Sequence, residues 1–455
     1  MRQQIVILGG GFAGIATAMH LERTLDRDEA EITMLSRENF SLFTPMLPEV
    51  CSGALDIRHV VTPIRGQLKK TRFLLAEVDA IDPSRNVVRY THILTGAQYE
   101  IRYDQAVLAL GAVTSTFGLP GVAERVFALK TLEDAGILRN RLVWLLERAD
   151  TSERDDERQR LLTVVIVGGG FTGVETAGEL VDFFHSVVKL YPKIELRDIR
   201  VVLIEGGASL LPGLADAMGQ YSYRALTSRG VEVILGDGVR SADDEAIELQ
   251  SGLRIPTQSI VWSAGVRPSP FVAQTGFPLS PRGTIRVTDE MRVEGLSNVW
   301  SLGDCAAVPD GAGGSCPPTA QHAIRQGPIL AANIVATLRG KPLQRFAYNS
   351  MGLMASLGAR RAVAQLPGGR VLTGFAAWFL WRSYYLLRLP GLDRKLHVAF
   401  DWALGLLFPR DIAELRVYTR RAFSSAAVDA GLVPRDEATL RRAKSELPEA
   451  PNGTI

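Results

Sequence analysis

The residues with the plainest chemical use are glycines in two matching sets. Gly9, Gly11 and Gly14 of "GGGFAG" and Gly168, Gly170 and Gly173 of "GGGFTG" both obey the spacing G-x-G-x-x-G. The first glycine of such a loop allows a tight turn. The second lets backbone approach a pyrophosphate, and the third lets a helix pack closely on a strand. The helix that follows offers unsatisfied N–H groups and a favourable dipole to the anion. Each loop here follows an apolar run ("QQIVIL", "LTVVIV") and precedes an Ala-rich stretch of helical spacing, so a buried parallel strand enters a helix twice. The copies stand 159 residues apart, which is the length of a domain and reads as a duplication.

The acidic residue expected to hold an adenosine ribose distinguishes the copies. "RVVLIEGG" ends its strand on Glu205, where a carboxylate accepts ribose hydroxyls and repels a 2′-phosphate. Gly206 and Gly207 follow, with no arginine to welcome that phosphate, so the second site is expected to prefer NADH. The alternative for Glu205 is a solvated carboxylate at a strand end. In the first copy, "EITMLSREN" places Ser36 at the matching position, a weaker partner for a ribose than a carboxylate.

The elements that must position these loops follow from the pattern along the chain. Short strands are expected over residues 72–110, and the stretch 134–160 ends in "RADTSERDDERQRL", read as an exposed helix end and loop. Strands recur at "VEVILGD", "SIVWSAG" and "NVWSLGDCAAV", a helix spans Ala320–Leu338, strands follow in 345–375, and two helices over 375–408 are split at "LPG". The tail ending in "SELPEAPNGTI" is expected to be disordered.

Composition bounds the partners. The 51 basic and 49 acidic residues nearly cancel, which gives no reason to expect nucleic acid. Three cysteines without a CxxC pair suggest a reducing compartment and no disulfide framework, and no metal site is expected. The first strand begins at residue 3, which leaves no room for a signal or transit peptide. No run reaches the roughly 18 uninterrupted apolar residues of a membrane-spanning helix.

"LTGFAAWFLWRSYYLLRLPG" (372–391) is nevertheless unusually aromatic. On a helix, Phe375, Phe379, Leu386 and Leu389 share a face bordered by Trp378 and Tyr385, with Arg382 unexplained in its middle. In the next helix Leu392, Leu396, Ala399, Phe400, Ala403 and Leu407 form one stripe opposite Asp393, Arg394, His397 and Asp401. Five Lys/Arg against two Asp between Arg382 and Arg410 favour an anionic leaflet. Interfacial membrane attachment through residues 374–408 is expected, with a buried helix or a dimer contact as the alternative.

Over residues 3–340 the chain resembles the two-dinucleotide-binding-domain flavoprotein reductases. Within them it is most similar to the type II NADH dehydrogenases, the single-subunit, non-electrogenic NADH:quinone oxidoreductases of electron transport chains. The stretches that carry this are "FSLFTPMLPEVCSG", "GGGFTGVETAGEL", "PPTAQHAIRQG" and residues 374–405. The resemblance implies an α/β fold with two Rossmann-like domains, for FAD and NADH, and a C-terminal membrane-attaching helical region. The segments would be 1–120 and 286–345 for FAD, 121–285 for NADH, 346–423 for strands and attachment helices, and 424–455 for a polar tail.

By the same resemblance, FAD would meet Gly9, Gly11, Phe12, Ala13, Gly14, Ser36, Pro45, Val78 near the adenine, Ala109, Gly111, Asp304 at the ribitol, Ala320 and Gln321. NADH would meet Gly168, Gly170, Phe171, Thr172, Gly173, Glu175, Glu205 and Gly265. Glu175, Gln321 and Arg325 would act in catalysis. For Glu175 the readings are orientation of the nicotinamide or proton movement to quinone, against a helix N-terminal electrostatic role. Arg325 stands where the family commonly has a second glutamine, four residues after Gln321 and on the same helix face. Met46 and Ile324 are candidates for the quinone entrance or for packing. The implied partners are ubiquinone or menaquinone, the cytoplasmic face of the cell inner membrane as a peripheral protein, and a second copy in a homodimer. Sulfide:quinone reduction, a soluble redox partner, or a slow redox-sensing adaptor are the competing readings.

Overall fold

The computed structural model describes residues 2–26, 28–348 and 352–414; the polar tail at 424–455 lies outside the described residues. The helices, in chain order, are α1 (Phe12–Thr24), α2 (Leu47–Cys51), α3 (Ile64–Gln67), α4 (Leu132–Thr151), α5 (Asp155–Leu161), α6 (Phe171–Val187), α7 (Asp216–Thr227), α8 (Ala320–Leu338), α9 (Gly374–Arg388) and α10 (Leu392–Leu404).

Two sheets carry the glycine loops. The first has seven strands, in the spatial order Val299–Ser301, Gln105–Leu108, Gln3–Leu8, Ala30–Ser36, Arg72–Asp82, Val87–His92 and Gln98–Arg102. The first five are parallel and the last two pairings antiparallel. Gln3–Leu8 is fully apolar where it is flanked on both sides, as a parallel central strand must be. The chain reverses its strand order at this position, so the crevice at its C-terminal end is a switch point where α/β sheets bind ligands. The second sheet runs Val126–Ala128, Ser259–Trp262, Thr163–Val167, Arg200–Glu205 and Val231–Leu235, all parallel.

Packing crosses the expected segment limits. Met46, Leu47, Val50 and Val60 bury their side chains with Leu138 and Leu142 of α4 and Leu180 and Phe183 of α6. Val272 and Phe277 pack into the core of the first sheet. Ala112–Thr114 pairs antiparallel with Val266–Pro268 and ties the two halves together. Met46 is fully buried in this packing, so it is not an entrance residue.

The stretch expected as an exposed helix end and loop is a helix pair. Thr131 and Asp134 form a capping box at the start of α4. After it, α5 carries Asp155, Asp156 and Glu157 in its first turn and Arg158 and Arg160 in its last, each sign at the favourable end of the dipole. Sparse apolar residues hide α5 from a pattern reading, because capping and charge support it.

The C-terminal region is a three-stranded antiparallel sheet, Leu353–Ser356, Ala362–Gln365 and Val371–Thr373, with α9 laid across it. Ala377 and Trp381 of α9 bury against Ala362 and Ala364. A Cβ on Gly178 of α6 would lie 2.4 Å from the Leu357 carbonyl carbon, so the glycine is what lets this sheet dock on the second domain.

Candidate functional site

Each glycine loop is built as a cradle. A Cβ on Gly9 would fall 2.2 Å from the Ala109 oxygen and one on Gly14 2.0 Å from the Gly9 oxygen. The same holds for Gly168 against Ala264 (2.7 Å) and Gly173 against the Gly168 oxygen (1.7 Å). Gly9 and Gly168 also have φ of 113° and 106°, which a side chain disfavours. Nothing lies within 4 Å of a Cβ built on Gly11 or Gly170. The outer glycines therefore close the turn, and the middle one faces open space from which a phosphate can approach. Gly11 and Gly170 are the N-caps of α1 and α6, and neither helix has a side-chain cap bond or an acidic residue in its first turn. Their leading N–H groups suit an anion.

One cavity of about 1230 Å³ joins both loops. Its wall includes Gly11, Phe12, Ala13, Ser36, Pro45, Ala109 and Gly111 from the first half, and Gly170, Phe171, Thr172, Glu175 and Gly265 from the second. Asp304, Ala320, Gln321, Ile324 and Arg325 complete it, with Tyr384, Tyr385 and Arg388 of α9 at another side. Gly9, Gly14, Gly168 and Gly173 form the turns beneath the wall. Val78 is absent from the wall: it sits in the Arg72–Asp82 strand, packed against the first core beside a bulge opposite Tyr90. Glu205 is also outside it, gripping its own loop. Its Oε2 accepts from Gly169 N at 2.6 Å and its Oε1 from Gly207 N at 2.7 Å. A carboxylate has about four acceptor sites, so two stay available for ribose hydroxyls.

Two wall residues, Glu38 and Lys130, and one buried residue behind the wall were not singled out from sequence. Glu38 lies two positions beyond Ser36 and lines the cavity, so a carboxylate is present although displaced. Lys130 Nζ stands 3.5 Å from Asp304 Oδ2. Gln326 is fully buried and its Oε1 accepts from Gly303 N at 2.8 Å, which fixes the turn that presents Asp304. A glutamine next to a helix-face pair carries no periodic signal, so only its burial reveals it.

The Gln321 amide is held on both sides. Its Nε2 donates to Gly352 O at 3.1 Å, and Tyr348 donates its hydroxyl to Oε1 at 3.0 Å. Arg325 donates to Gln321 O at 2.9 Å, and its guanidinium lies over the Tyr348 ring, 4.4 Å from the centroid. The arginine is thus stacked on an aromatic face and steadied by its own helix.

Glu175 lies beyond the first turn of α6, and its carboxyl does not turn back to the helix N-terminus. Oε1 accepts from Ser356 N at 3.1 Å and from Trp381 Nε1 at 3.0 Å. Burial pushes this carboxyl up to about 8, against those two hydrogen bonds and with help from the neighbouring Glu49 and Glu179. An aromatic series leads from the first loop to α9: Phe12 on Phe43 (6.0 Å between centroids), Phe43 on Tyr385 (6.0 Å) and Tyr385 on Trp381 (4.7 Å).

A family model described as pyridine nucleotide-disulphide oxidoreductase matches residues 3–327, and one described as the NDH2 C-terminal domain matches residues 351–411. The type II NADH:quinone oxidoreductase Ndh of Mycobacterium tuberculosis is 31% identical over 443 residues, covering 94% of this chain and 93% of its own. The chain belongs to the type II NADH dehydrogenase family. A probable NADH dehydrogenase of Dictyostelium discoideum is 32% identical, covering 90% of this chain and 91% of its own. The fold is that of the Plasmodium falciparum NDH2 structure in complex with NADH, with a TM-score of 0.83 and 21% identity over 91% of this chain and 100% of that one.

In this type II NADH dehydrogenase family member, α9 and α10 are the helices expected at a membrane surface. No helix among the described residues is long and apolar enough to cross a membrane. In α10, Leu392 (72%), Leu396 (63%) and Phe400 (62%) are exposed, as is Leu407 (76%) just beyond it. Ala403 is exposed and Ala399 half-buried. The opposite side grips the body: Asp401 Oδ2 lies 2.5 Å from His59 Nδ1, and His397 stacks on His59 at 4.6 Å. The expected face of α9 is split. Phe375 and Phe379 are exposed, Leu386 is half-buried and Leu389 is buried, because the end of the helix turns into the second core. Arg382 reaches Glu49, where Trp402 Nε1 also donates at 3.1 Å.

None of the three cysteines lines the cavity. Cys51 and Cys305 are buried and donate to backbone oxygens, as packed thiols do.

Proposed function

We infer that this chain oxidises NADH and reduces a membrane quinone through bound FAD, without pumping protons. The observation that carries this is the single cavity walled by both glycine loops and by the tyrosines of a helix that leads to an exposed apolar surface. NADH is water-soluble and quinone is lipid-soluble, so an enzyme that joins them needs such a cavity at the boundary.

The first loop, Asp304 and the start of α8 would hold FAD; the open space over Gly11 and the uncapped helix fit its pyrophosphate. When bound, FAD accepts a hydride from NADH and passes two electrons to quinone. The second loop would take the NADH pyrophosphate over Gly170, with Glu205 on the adenosine ribose. Gln321 and Arg325 would fix a quinone, the arginine giving a carbonyl oxygen a fixed positive charge where a second glutamine would give a neutral donor. Glu175, neutral at pH 7, would hold a proton at the cavity wall and give it to the quinone oxygen.

Exposed Leu396 and Phe400, with Arg388 and Lys395 nearby, support attachment to an anionic membrane face from the NADH side, and residues 374–408 are the proposed anchor. Pairing with a second copy would set two such anchors side by side. In stopped flow, NADH should bleach the flavin and a quinone analogue should restore its colour rapidly. Slow recolouring by quinone, with rapid recolouring by a soluble protein acceptor, would sink the reading.

A further inference from the structure

Glu175 and Glu179 lie four residues apart and share a face of α6. Glu49 reaches the same region from α2: Trp381 of α9 donates to Glu175 Oε1, and the next residue, Arg382, donates to Glu49 Oε1. All three are buried, at 7%, 5% and 3% exposure. Two guanidiniums answer them. Arg410 Nη2 donates to Glu179 Oε2 at 2.8 Å, where Ser52 Oγ donates at 2.9 Å, and Arg382 Nη2 lies 3.4 Å from Glu49 Oε1. The other titratable groups around them are Cys51 and Tyr385, whose protons burial holds in place, and Arg229, which pairs with Asp182.

The count is three carboxyls against two cations. The Glu49–Arg382 contact is itself incompletely satisfied: Glu49 Oε2 and Arg382 Nε are both buried with no hydrogen-bond partner among the described residues. A full charge on an unpaired buried carboxylate is costly. We propose that this cluster stores one proton, and that Glu49 is the positioning residue that decides how firmly Glu175 holds it. Burial raises both carboxyls, and the Glu49 charge adds to the rise at Glu175.

The proposal rests on quinone reduction as read above. The balance there is NADH + H⁺ + quinone → NAD⁺ + quinol. NADH supplies both electrons and one hydrogen; one proton must come from elsewhere. That is the number the cluster stores. The Glu175 O–H bond breaks as a quinol O–H bond forms, and a proton from water restores the carboxyl. Glu49 acts through charge, and Arg382 and Trp402, from the attachment helices, set its environment.

An infrared pH titration of the holoenzyme without quinone tests this. The protonated Glu175 carboxyl band is assigned by deuterium shift and by its loss in Glu175→Gln. In Glu49→Gln its midpoint should fall by about one pH unit, since a neighbouring negative charge is removed. The alkaline limb of quinone reduction should fall with it. Glu49→Asp keeps the negative charge and should leave both near their wild-type positions, so a shift caused by disturbed packing alone is told apart. An unchanged midpoint in Glu49→Gln, or an equal fall in Glu49→Asp, would overturn the proposal. A shifted band in a protein that reduces no quinone analogue would support the stored proton and overturn only the functional reading.

Discussion

The Arg382 guanidinium lies 3.4 Å from the Glu49 carboxylate, between the rings of Trp378 (4.6 Å) and Trp402 (4.3 Å). The arginine that interrupts an apolar helix face is thus the bolt that fastens α9 and α10 to α2. Arg382→Met leaves Glu49 buried without its cation and should cost about 3 kcal/mol. Adding Glu49→Gln should recover most of that loss. Chemical denaturation of the single and double variants checks the coupling; additive losses would mean the pair does not act together.

The two kinds of loop glycine should fail differently. Gly173→Ala puts a methyl 1.7 Å from the Gly168 oxygen, and strain of about 1–3 kcal/mol or more should appear in melting. Gly170→Ala meets no protein atom within 4 Å, so melting should hold while KM for NADH rises roughly tenfold, about 1.4 kcal/mol of lost binding. Equal destabilisation by both would contradict the cradle.

Quinone reduction should depend on the Glu175 proton. Its folded pKa is raised to about 8 from the ordinary 4.5, so the neutral, proton-giving form dominates at pH 7 and is lost as pH rises through about 8. The rate of quinone reduction should fall on that alkaline side, and Glu175→Gln should lower it about 10²-fold at pH 7. A Gln variant with the wild-type rate and profile would remove Glu175 from the chemistry.

Arg325→Gln converts a fixed cation into a neutral amide at the same helix position. KM for quinone should rise about fivefold to tenfold, with KM for NADH unchanged, because the Arg325 guanidinium is held by Gln321 O and the Tyr348 ring, not by the second loop. Steady-state kinetics with each substrate varied in turn separates the two.

Leu396→Asp together with Phe400→Asp should release the protein from vesicles. Each side chain offers roughly 2 kcal/mol on burial in lipid, so partitioning should drop at least about tenfold. Cosedimentation with anionic vesicles reads this. Undiminished binding would return these residues to the role of a contact between two copies.

Much of the molecule was legible because its signals are local. The glycine spacing, the apolar strands, the bounds of α8 and the outward stripe of α10 are read from neighbours within a turn or two, and periodicity records such neighbours. α5 escaped because its support is capping and dipole charge. Val78 was placed at the cofactor by resemblance alone, and a strand residue's position along its strand does not say whether it borders a cavity. The sequence by itself determined two dinucleotide cradles and an amphipathic end. Only the tertiary structure decided the ionisation of Glu175 and the purpose of Arg382. Glu49 meets Arg382 across 333 residues, and Arg410 meets Glu179 across 231. Desolvation and Coulomb energy depend on which groups the fold brings together in the dry interior, and a one-dimensional pattern carries no record of that meeting.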